Sequence, residues 1–247
     1  MQTLKSAIEQ AGKVSLGNGK MPGSTYASSA TKCKTGGKLV NLKGSTCHKC
    51  YALKLEKIRP SVAMGWLANY EKATSLIAKN PMQWSKACAF QILRAYEKSF
   101  VPFHRWFDSG DLQSVEMLEA IAETARMTPY IQHWLPTRES QIVKEWRKLY
   151  KRPKNLMIRE SATMVGDKPK NSEFTSTVHG KGDSPIGKEC IAYRTASDNR
   201  ILTIEEYKSH KKLSKAERES AGFTLGHCGP CRACWSDTVK NVSYPLH

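Results

Sequence analysis

The sequence predicts an α/β protein: a partial (β/α) barrel-like parallel sheet with helices outside, plus a cysteine-rich C-terminal extension. Two observations predict this fold class. Residues 103–159 alternate strand-like and helix-like segments, the pattern of parallel strands joined by crossover helices. The composition then shifts to Lys, Gly, Ser and Pro at 166–187, and three closely spaced cysteines follow after Gly226.

Three strands are predicted in the middle of the chain, each ending in a polar turn. Ser114 is a suitable N-cap for the helix between the first two strands, because its hydroxyl can accept a backbone N–H. Pro129 and Pro153 end the two intervening helices. The predicted strands cover 103–107, 130–135 and 155–159, and the predicted helices cover 115–127 and 140–151.

The flanking segments are less regular. Apolar periodicity predicts two helices between Tyr51 and Phe100, separated by Asn80-Pro81. Residues 1–32 are predicted to be loop-rich, 39–42 a short strand, 166–187 a connector and 203–220 a charged helix. We therefore divide the chain into a core at 1–165 and a cysteine-rich segment at 166–247 that packs on it.

The overall composition is that of a globular protein outside the membrane. The 247 residues are 40% hydrophobic, enough for a sizeable core. No apolar run approaches the roughly 20 residues that span a bilayer. Residues 1–10 lack the apolar segment of a secretory signal, so we expect a cytoplasmic protein with no membrane partner.

The charge is strongly basic, with 39 Lys and Arg residues against 22 Asp and Glu residues, a net charge of +17. Basic surfaces gain affinity for phosphates by releasing counterions, so nucleic acid is the expected partner. The alternative is a basic surface that only keeps the protein soluble. The best local candidate for phosphate contact is the stretch 208–218, although such a stretch is more often a solvated helix face.

Eight cysteines in a cytoplasmic chain favour metal binding over disulfides. Near the C-terminus three cysteines are each separated by two residues, a spacing typical of iron–sulfur ligation. A fourth cysteine upstream would complete the set. Structural zinc sites also take four thiolates, so zinc remains the alternative, and plain buried thiols a further one. We call this set the second cysteine group: Cys190, Cys228, Cys231 and Cys234.

A smaller set, the first cysteine group, comprises Cys33, Cys47 and Cys50. The last two have the spacing of a metal knuckle or a redox pair. Three thiolates on a four-iron cluster would leave one iron open for a substrate or cofactor. His48 is an alternative fourth ligand. Cys88 lies on the apolar face of a predicted helix and is interpreted as a buried thiol.

Polar residues follow each predicted strand, and ligands of parallel sheets bind where the strands end. In the turn after the first strand, Asp111 either stabilises a helix start or receives a ligand's ammonium group. Arg138 and Arg159 can hold a carboxylate or form surface ion pairs with Glu139 and Glu160. The predicted rim of one site comprises Asp111, Thr137, Arg138, Glu160 and Ser161. The candidate cofactor-binding residues also include Ser109, Gly110 and Arg159.

Four motifs, in order, resemble those of the phage "gene product 88" family. They are 44–54 (GSTCHKCYALK), 103–112 (FHRWFDSGDL), 134–139 (WLPTRE) and 228–235 (CGPCRACW). The resemblance runs from about Cys33 to the C-terminus. It implies a phage protein that acts in the cytoplasm of a bacterial host, and it implies no specific activity.

More distantly, the order of features is similar to that of the radical S-adenosylmethionine superfamily. That resemblance implies an open [4Fe-4S] cluster on the first cysteine group and an auxiliary cluster on the second. Ser109-Gly110-Asp111 would match the turn that meets the amino group of S-adenosylmethionine, which makes Asp111 the candidate catalytic residue. This sequence departs from the usual compact C-x3-C-x2-C run, and Asp111 replaces a longer Glu.

Two hypotheses from different classes follow. The first is a radical S-adenosylmethionine-like enzyme that modifies a nucleic acid or another polyanion. The second is a non-enzymatic iron–sulfur or zinc module that binds nucleic acid or protein.

Overall fold

The computed structural model describes residues 2–17, 20–170, 172–196, 198–220 and 226–246. The parts of the predicted loop, connector and tail that fall on the other residues lie outside this description. The helices are α1 (Leu4–Ala11), α2 (Lys34–Leu39), α3 (Tyr51–Ile58), α4 (Pro60–Lys79), α5 (Pro81–Ser99), α6 (Val115–Met127), α7 (Ser140–Leu149), α8 (Ile204–Lys212) and α9 (Lys215–Ser220). The strands are β1 (Val14–Ser15), β2 (Ser24–Tyr26), β3 (Phe103–Trp106), β4 (Gln132–Thr137), β5 (Leu156–Ser161), β6 (Thr175–His179), β7 (Lys188–Glu189) and β8 (Asn241–Pro245).

Within the described ranges these strands form one eight-stranded sheet in the order β1-β2-β3-β4-β5-β6-β8-β7. Only the β1–β2 pair is antiparallel. The parallel α/β fold predicted from the sequence is therefore confirmed. Since parallel strands end on the same side, the loops after β2, β3, β4 and β5 meet at one edge, which we call the carboxyl edge.

Local signals explain the central helices. The Ser114 hydroxyl accepts the Met117 N–H at 3.2 Å and begins α6 where the sequence predicts it. Asn80 caps α5 in the same way, and a proline follows at the first helical position. A proline there costs nothing, because its missing N–H would have no partner within the helix.

The hydrophobic core lies on one face of the sheet. Trp106, Leu135 and Ile158 project from β3, β4 and β5 into a buried cluster with residues of the helices, such as Trp84 and Trp146. Each such side chain contributes about 1.5–3 kcal/mol when fully buried. Because side chains alternate along a strand, the intervening residues face the opposite side of the sheet.

The structure corrects three predictions about elements. Residues 39–42 are not a strand, because α2 ends at Leu39 and a turn follows. Residues 1–32 contain α1, β1 and β2 rather than loops alone. The predicted connector contains β6, which pairs with both β5 and β8. The division of the chain at 165/166 that we made from the sequence thus falls between β5 and β6, which are paired in one sheet.

Candidate metal centres

The first cysteine group lies on the loops that follow β2. Cys33 comes directly before α2, and Cys47 and Cys50 occupy a turn before α3, where the Cys50 N–H donates to the Cys47 carbonyl at 3.1 Å. A methyl group built on Gly36 would lie 3.5 Å from Cys47 Sγ and 3.8 Å from Cys33 Sγ. Two of the three thiols therefore flank a single glycine.

Electrostatics also join the three thiols. The pKa of Cys33 is raised to about 12, mainly by burial and to a lesser extent by the nearby Asp111, Cys50 and Cys47. Burial likewise raises the pKa of Cys47. Deprotonation of these thiols at neutral pH therefore needs an electrophile such as a metal ion.

Backbone hydrogen bonds attach these loops to the carboxyl edge. The Ser28 N–H donates to the Ser109 carbonyl after β3 at 2.9 Å. The Thr46 N–H donates to the Thr163 carbonyl after β5 at 2.9 Å, and the Thr46 hydroxyl donates to the Ala162 carbonyl at 2.8 Å. The segment bearing the three cysteines is thus fixed across several strand ends.

A buried glutamate adds a further attachment. Glu139, in the loop after β4, accepts the Thr35 N–H at 2.8 Å and the Thr35 hydroxyl at 2.9 Å. These bonds hold the first turn of α2, next to Cys33. Sequence reasoning missed this role, because nothing local in the sequence links residues so far apart.

Asp111 joins two of these loops. Its Oδ1 accepts the Leu112 N–H at 2.8 Å and the Thr137 hydroxyl at 2.6 Å, and its Oδ2 accepts the Arg138 N–H at 3.0 Å. Burial raises the pKa of Asp111 to about 6, against the lowering effect of these bonds. An ionised carboxylate has about four acceptor sites, so about one remains for a ligand.

The two residues before Asp111 are tightly placed. Gly110 has a φ of +83°, and a Cβ there would lie 2.7 Å from Ser28 Cβ. Glycine is therefore required by both conformation and space. The Ser109 hydroxyl is buried and has no hydrogen-bond partner in the described part of the chain.

The structure separates the two arginines among the candidate cofactor-binding residues, because each lies at a different cysteine group. Arg138 belongs to the first cysteine group, since its Nε donates to the Thr46 hydroxyl at 3.0 Å and its charge lowers the pKa of Cys47. Arg159 instead reaches the second group. Ser161 lies at the end of β5, with its hydroxyl 3.4 Å from that of Ser176.

The predicted ion pairs of the two arginines are not formed with their neighbours. Glu160 pairs with Arg147 at 2.8 Å, and Glu139 is engaged with Thr35. His48 is exposed, with Nδ1 lying 3.3 Å from the Val40 carbonyl oxygen.

The second cysteine group surrounds one cavity, which is lined by Glu189, Cys190, Ile191, Ala192, Cys228, Cys231, Ala233, Cys234, Trp235 and Val242. Cys190 directly follows β7, and its N–H donates to the Ser243 carbonyl in β8 at 2.8 Å. The other three thiols lie in the loop before β8. The fourth thiol expected from the sequence is therefore adjacent to the other three.

Burial dominates the electrostatics of this group as well. It raises the pKa of Cys228 to about 11 and of Cys234 to about 12, and Cys190 adds to both. The Cys234 thiol also lies 3.1 Å from the Tyr244 hydroxyl. These thiols lack the low pKa of reactive nucleophiles, and this favours ligand chemistry over thiol catalysis.

Arg159 holds the loop of the second group on the sheet. It projects from β5 and is fully buried. Its guanidinium donates to a set of backbone carbonyls in the C-terminal loop, among them Ala233 at 2.8 Å, Cys234 at 2.9 Å, Ser236 at 2.7 Å and Val239 at 2.8 Å. A single side chain thus organises the cysteine-bearing turn.

Trp235 anchors the same turn to the face of the sheet opposite the helices. Its ring contacts Phe103 and Trp134 at centroid distances of 5.3 Å, and its Nε1–H donates to the His104 carbonyl at 3.0 Å. The C-terminal segment therefore covers the face left free by the helices.

Arg105 is electrostatically coupled to both groups. It lies 3.5 Å from the Asp108 carboxylate and stacks 4.8 Å from the Trp134 ring centroid. It lowers the pKa of Cys228, and it lowers the pKa of Tyr51, which follows Cys50. Its charge therefore acts on the second group and on a residue next to the first.

All eight cysteines are free thiols. In the described ranges, no group of three or more His, Cys, Asp or Glu side chains is arranged to hold a metal ion directly. Cys88 is fully buried in the core, as predicted. Among the described helices, none is long and apolar enough to cross a membrane.

Two buried histidines of the central strands lie on the helix-facing side of the sheet. Both ring nitrogens of His133 have partners, Trp106 Nε1 at 3.2 Å and the Thr128 hydroxyl at 2.7 Å. His104 Nδ1 pairs with the Ser24 hydroxyl at 2.8 Å, whereas its Nε2 has no partner within the described residues.

Comparison with known families agrees with the four ordered motifs. Residues 3–237 match the family described as Gene product 88, which is most of the chain. The chain belongs to the Gene product 88 family. The match includes both cysteine groups and the carboxyl edge. No curated protein and no solved structure matches the chain.

Proposed function

We propose that this member of the Gene product 88 family is an iron–sulfur protein with two cluster sites. The observation that carries the proposal is that four free thiols, Cys190, Cys228, Cys231 and Cys234, line one cavity. Such a thiol set fits a [4Fe-4S] cluster, in which each iron takes one thiolate. The second group would then be a closed auxiliary site, held by Arg159 and Trp235.

The first group would be the site of chemistry. Its three thiols, Cys33, Cys47 and Cys50, leave one iron of a four-iron cluster without a protein thiolate. Such a cluster would supply one electron, received from a cellular reductant, to a cofactor at the open iron, for which we propose S-adenosylmethionine. The partly open carboxyl edge, where ligands of parallel sheets bind, supports this role.

The chain's own residues would bind and orient that cofactor. Asp111 and the unpartnered Ser109 hydroxyl would accept an ammonium group, and Arg138 would hold a carboxylate. Thr137 and Gly110 would act through Asp111, since one donates to it and the other sets the turn. The arrangement of Arg159 supports a role at the second group instead.

The substrate would be a polyanion, given the net charge of +17. We propose that this activity takes place in the cytoplasm, where reducing pools would keep the seven thiols of the two cysteine groups available for metals.

The test is electron paramagnetic resonance on anaerobically purified, dithionite-reduced protein, with iron, sulfide and zinc assayed. We expect about eight irons per chain and a signal that changes when S-adenosylmethionine is added. Asp111→Asn should weaken that change while the iron content stays constant. Zinc without sulfide would refute the iron–sulfur proposal.

A second candidate is a non-enzymatic cluster or zinc module that binds nucleic acid or a protein. It is favoured by the three hydrogen bonds that Asp111 receives within the chain, because these give the carboxylate a structural role without any ligand. Under this hypothesis the electron paramagnetic resonance spectrum does not change when S-adenosylmethionine is added. Asp111→Asn then alters the stability of the protein but not its affinity for nucleic acid.

A further inference from the structure

A concentration of positive charge surrounds the first cysteine group. Residues 32–59 carry eight Lys or Arg side chains and one acidic side chain, Glu56, for a net +7 of the chain's +17. We call these eight cations the basic rim: Lys32, Lys34, Lys38, Lys43, Lys49, Lys54, Lys57 and Arg59.

The rim is available to a partner. All eight side chains belong to exposed residues. In the described part of the chain none of them forms an ion pair, although Lys34 donates to the Gln113 carbonyl and Lys32 lies over the Tyr70 ring. Glu56 is the one acidic residue of the segment; it is buried and accepts the Ala30 N–H at 2.7 Å, and it forms no ion pair with a rim cation in the described part of the chain. The rim therefore keeps a net positive charge of +7.

Other basic stretches differ in this respect. On α7, Arg147 pairs with Glu160, and on α6, Arg126 pairs with Glu119 and Glu123. The stretch 208–218, favoured by the sequence, carries five Lys or Arg side chains and Glu217, a net +4 against the +7 of the rim. Arg218 there donates to the Leu213 carbonyl at 2.7 Å. The rim is therefore the stronger candidate for phosphate contact.

Exposed apolar side chains lie among the rim cations. Tyr51 is 63% exposed, Ile58 58% and Leu42 49%. Cations that follow a phosphate backbone, together with an exposed aromatic ring on which a base can stack, form the usual surface for single-stranded nucleic acid. The same segment bears Cys33, Cys47 and Cys50, so a bound strand would pass directly beside them.

We propose that the basic rim binds single-stranded nucleic acid and presents a nucleotide to the first cysteine group. The presentation step rests on the proposed function, whereas the binding step does not. The rim cations contact phosphates, and Tyr51 stacks on a base.

The test is fluorescence anisotropy with a labelled single-stranded oligonucleotide, across salt concentrations and with anaerobically purified protein. The rim variant is Lys38→Gln/Lys43→Gln/Lys54→Gln. The control is Lys98→Gln/Lys148→Gln/Lys154→Gln, which removes the same charge at exposed positions before β3 and β5, at the opposite edge. Neither set includes a proposed ligand.

We expect the rim variant to bind at least about tenfold more weakly, and its slope of log K against log salt to fall by about two. The control should stay within about twofold. Tyr51→Ala should weaken binding with an unchanged salt slope. Equal losses in both triple variants, or no loss in the rim variant, would overturn the proposal, as would rim-dependent binding to anionic phospholipid vesicles but not to the oligonucleotide.

Metal analysis of the same samples separates the two proposals. Rim-dependent binding by protein that holds zinc without sulfide would refute the cluster proposal and leave the rim intact. A full complement of iron and sulfide, with binding indifferent to the rim variant, would refute the rim alone.

Discussion

The two cysteine groups are held in place in opposite ways. The loops of the first are tied to several strand ends by separate contacts, including Glu139 and the Thr46 N–H, and are surrounded by exposed cations. The loop of the second is gathered by one buried guanidinium, Arg159, and covered by Trp235. Several separate contacts therefore hold the first group, whereas one buried side chain holds most of the loop of the second. Under the proposed function, the first group would carry the open cluster and the second the auxiliary one.

The largest expected loss of stability comes from removing the Arg159 guanidinium. Arg159→Met leaves several buried carbonyls without donors, so we expect the free energy of unfolding to fall by about 3–5 kcal/mol. Urea unfolding measures this, and metal analysis should show loss at the second group before the first. Arg147→Met, at a partly exposed ion pair, is the matched control and should cost under about 1 kcal/mol. An equal loss of unfolding free energy in both variants would refute the role of Arg159 in holding the second group.

A smaller effect is expected from crowding the carboxyl edge. Gly110→Ala places a methyl group against Ser28 at a positive φ, which should cost at least about 2 kcal/mol. Because the turn precedes Asp111, the first group should lose metal while the second keeps it. Gly37→Ala is the control, since a methyl group there has open space. Loss of metal from the second group alone would contradict the assignment of the Gly110 turn to the first group.

Removing one attachment of the first group, the bonds between Glu139 and Thr35, should lower the stability by a smaller amount. Glu139→Gln removes a charged acceptor from Thr35, so we expect about 1.5–3 kcal/mol in thermal or urea unfolding. Proteolysis should become faster within residues 30–50 and remain unchanged near Cys228. Glu145→Gln, on the exposed face of α7, should be nearly neutral. Faster cleavage at the second group would show that the two are not held independently.

The smallest effect is expected from a change of pH, which acts on His133 on the helix-facing side of the sheet. It should affect the two cysteine groups equally. Burial lowers the pKa of His133 to about 3, whereas the unfolded value is about 6.5. The unfolded chain therefore binds the proton first, and stability falls as the pH drops from about 6.5 towards 3, by at most about 1.4 kcal/mol per unit. Urea midpoints at pH 7 and 5.5 measure this. His133→Gln should reduce this slope without abolishing it, because burial also lowers the pKa of His104. An unchanged slope would contradict the assignment of the pH dependence to His133.

The sequence predicts most of the centre of this fold. Ser114, Pro129 and Pro153 are local signals, and they place α6 and α7 close to their observed bounds. The strand β2 escapes prediction because Ser24-Thr25-Tyr26 is short and largely polar. β8 escapes for a different reason: its pairing with β6 and β7 is fixed by distant partners rather than by its own pattern.

The candidate sites were predictable to a similar degree. The spacing of the three C-terminal cysteines predicted a ligand set that needs a fourth thiol, which identified Cys190, and the strand ends grouped Asp111 with Thr137 and Arg138. Arg159 was assigned to the wrong neighbourhood in space, since a residue near a strand end can face either side of a sheet. Which face it takes depends on the register of β5 against β4, which single-sequence periodicity does not define.

The position of β8 between β6 and β7 has a consequence for biosynthesis. The ribosome makes β7 before the strand that joins it to the sheet, and Cys190 gains its backbone anchor only when Ser243 emerges. Among the described backbone contacts, the loops of the first group reach no residue later than Val165. At translation rates of about 5–20 residues per second, we expect the first group to be assembled on the nascent chain seconds ahead of the second. Maturation of the two sites would thus follow the direction of translation.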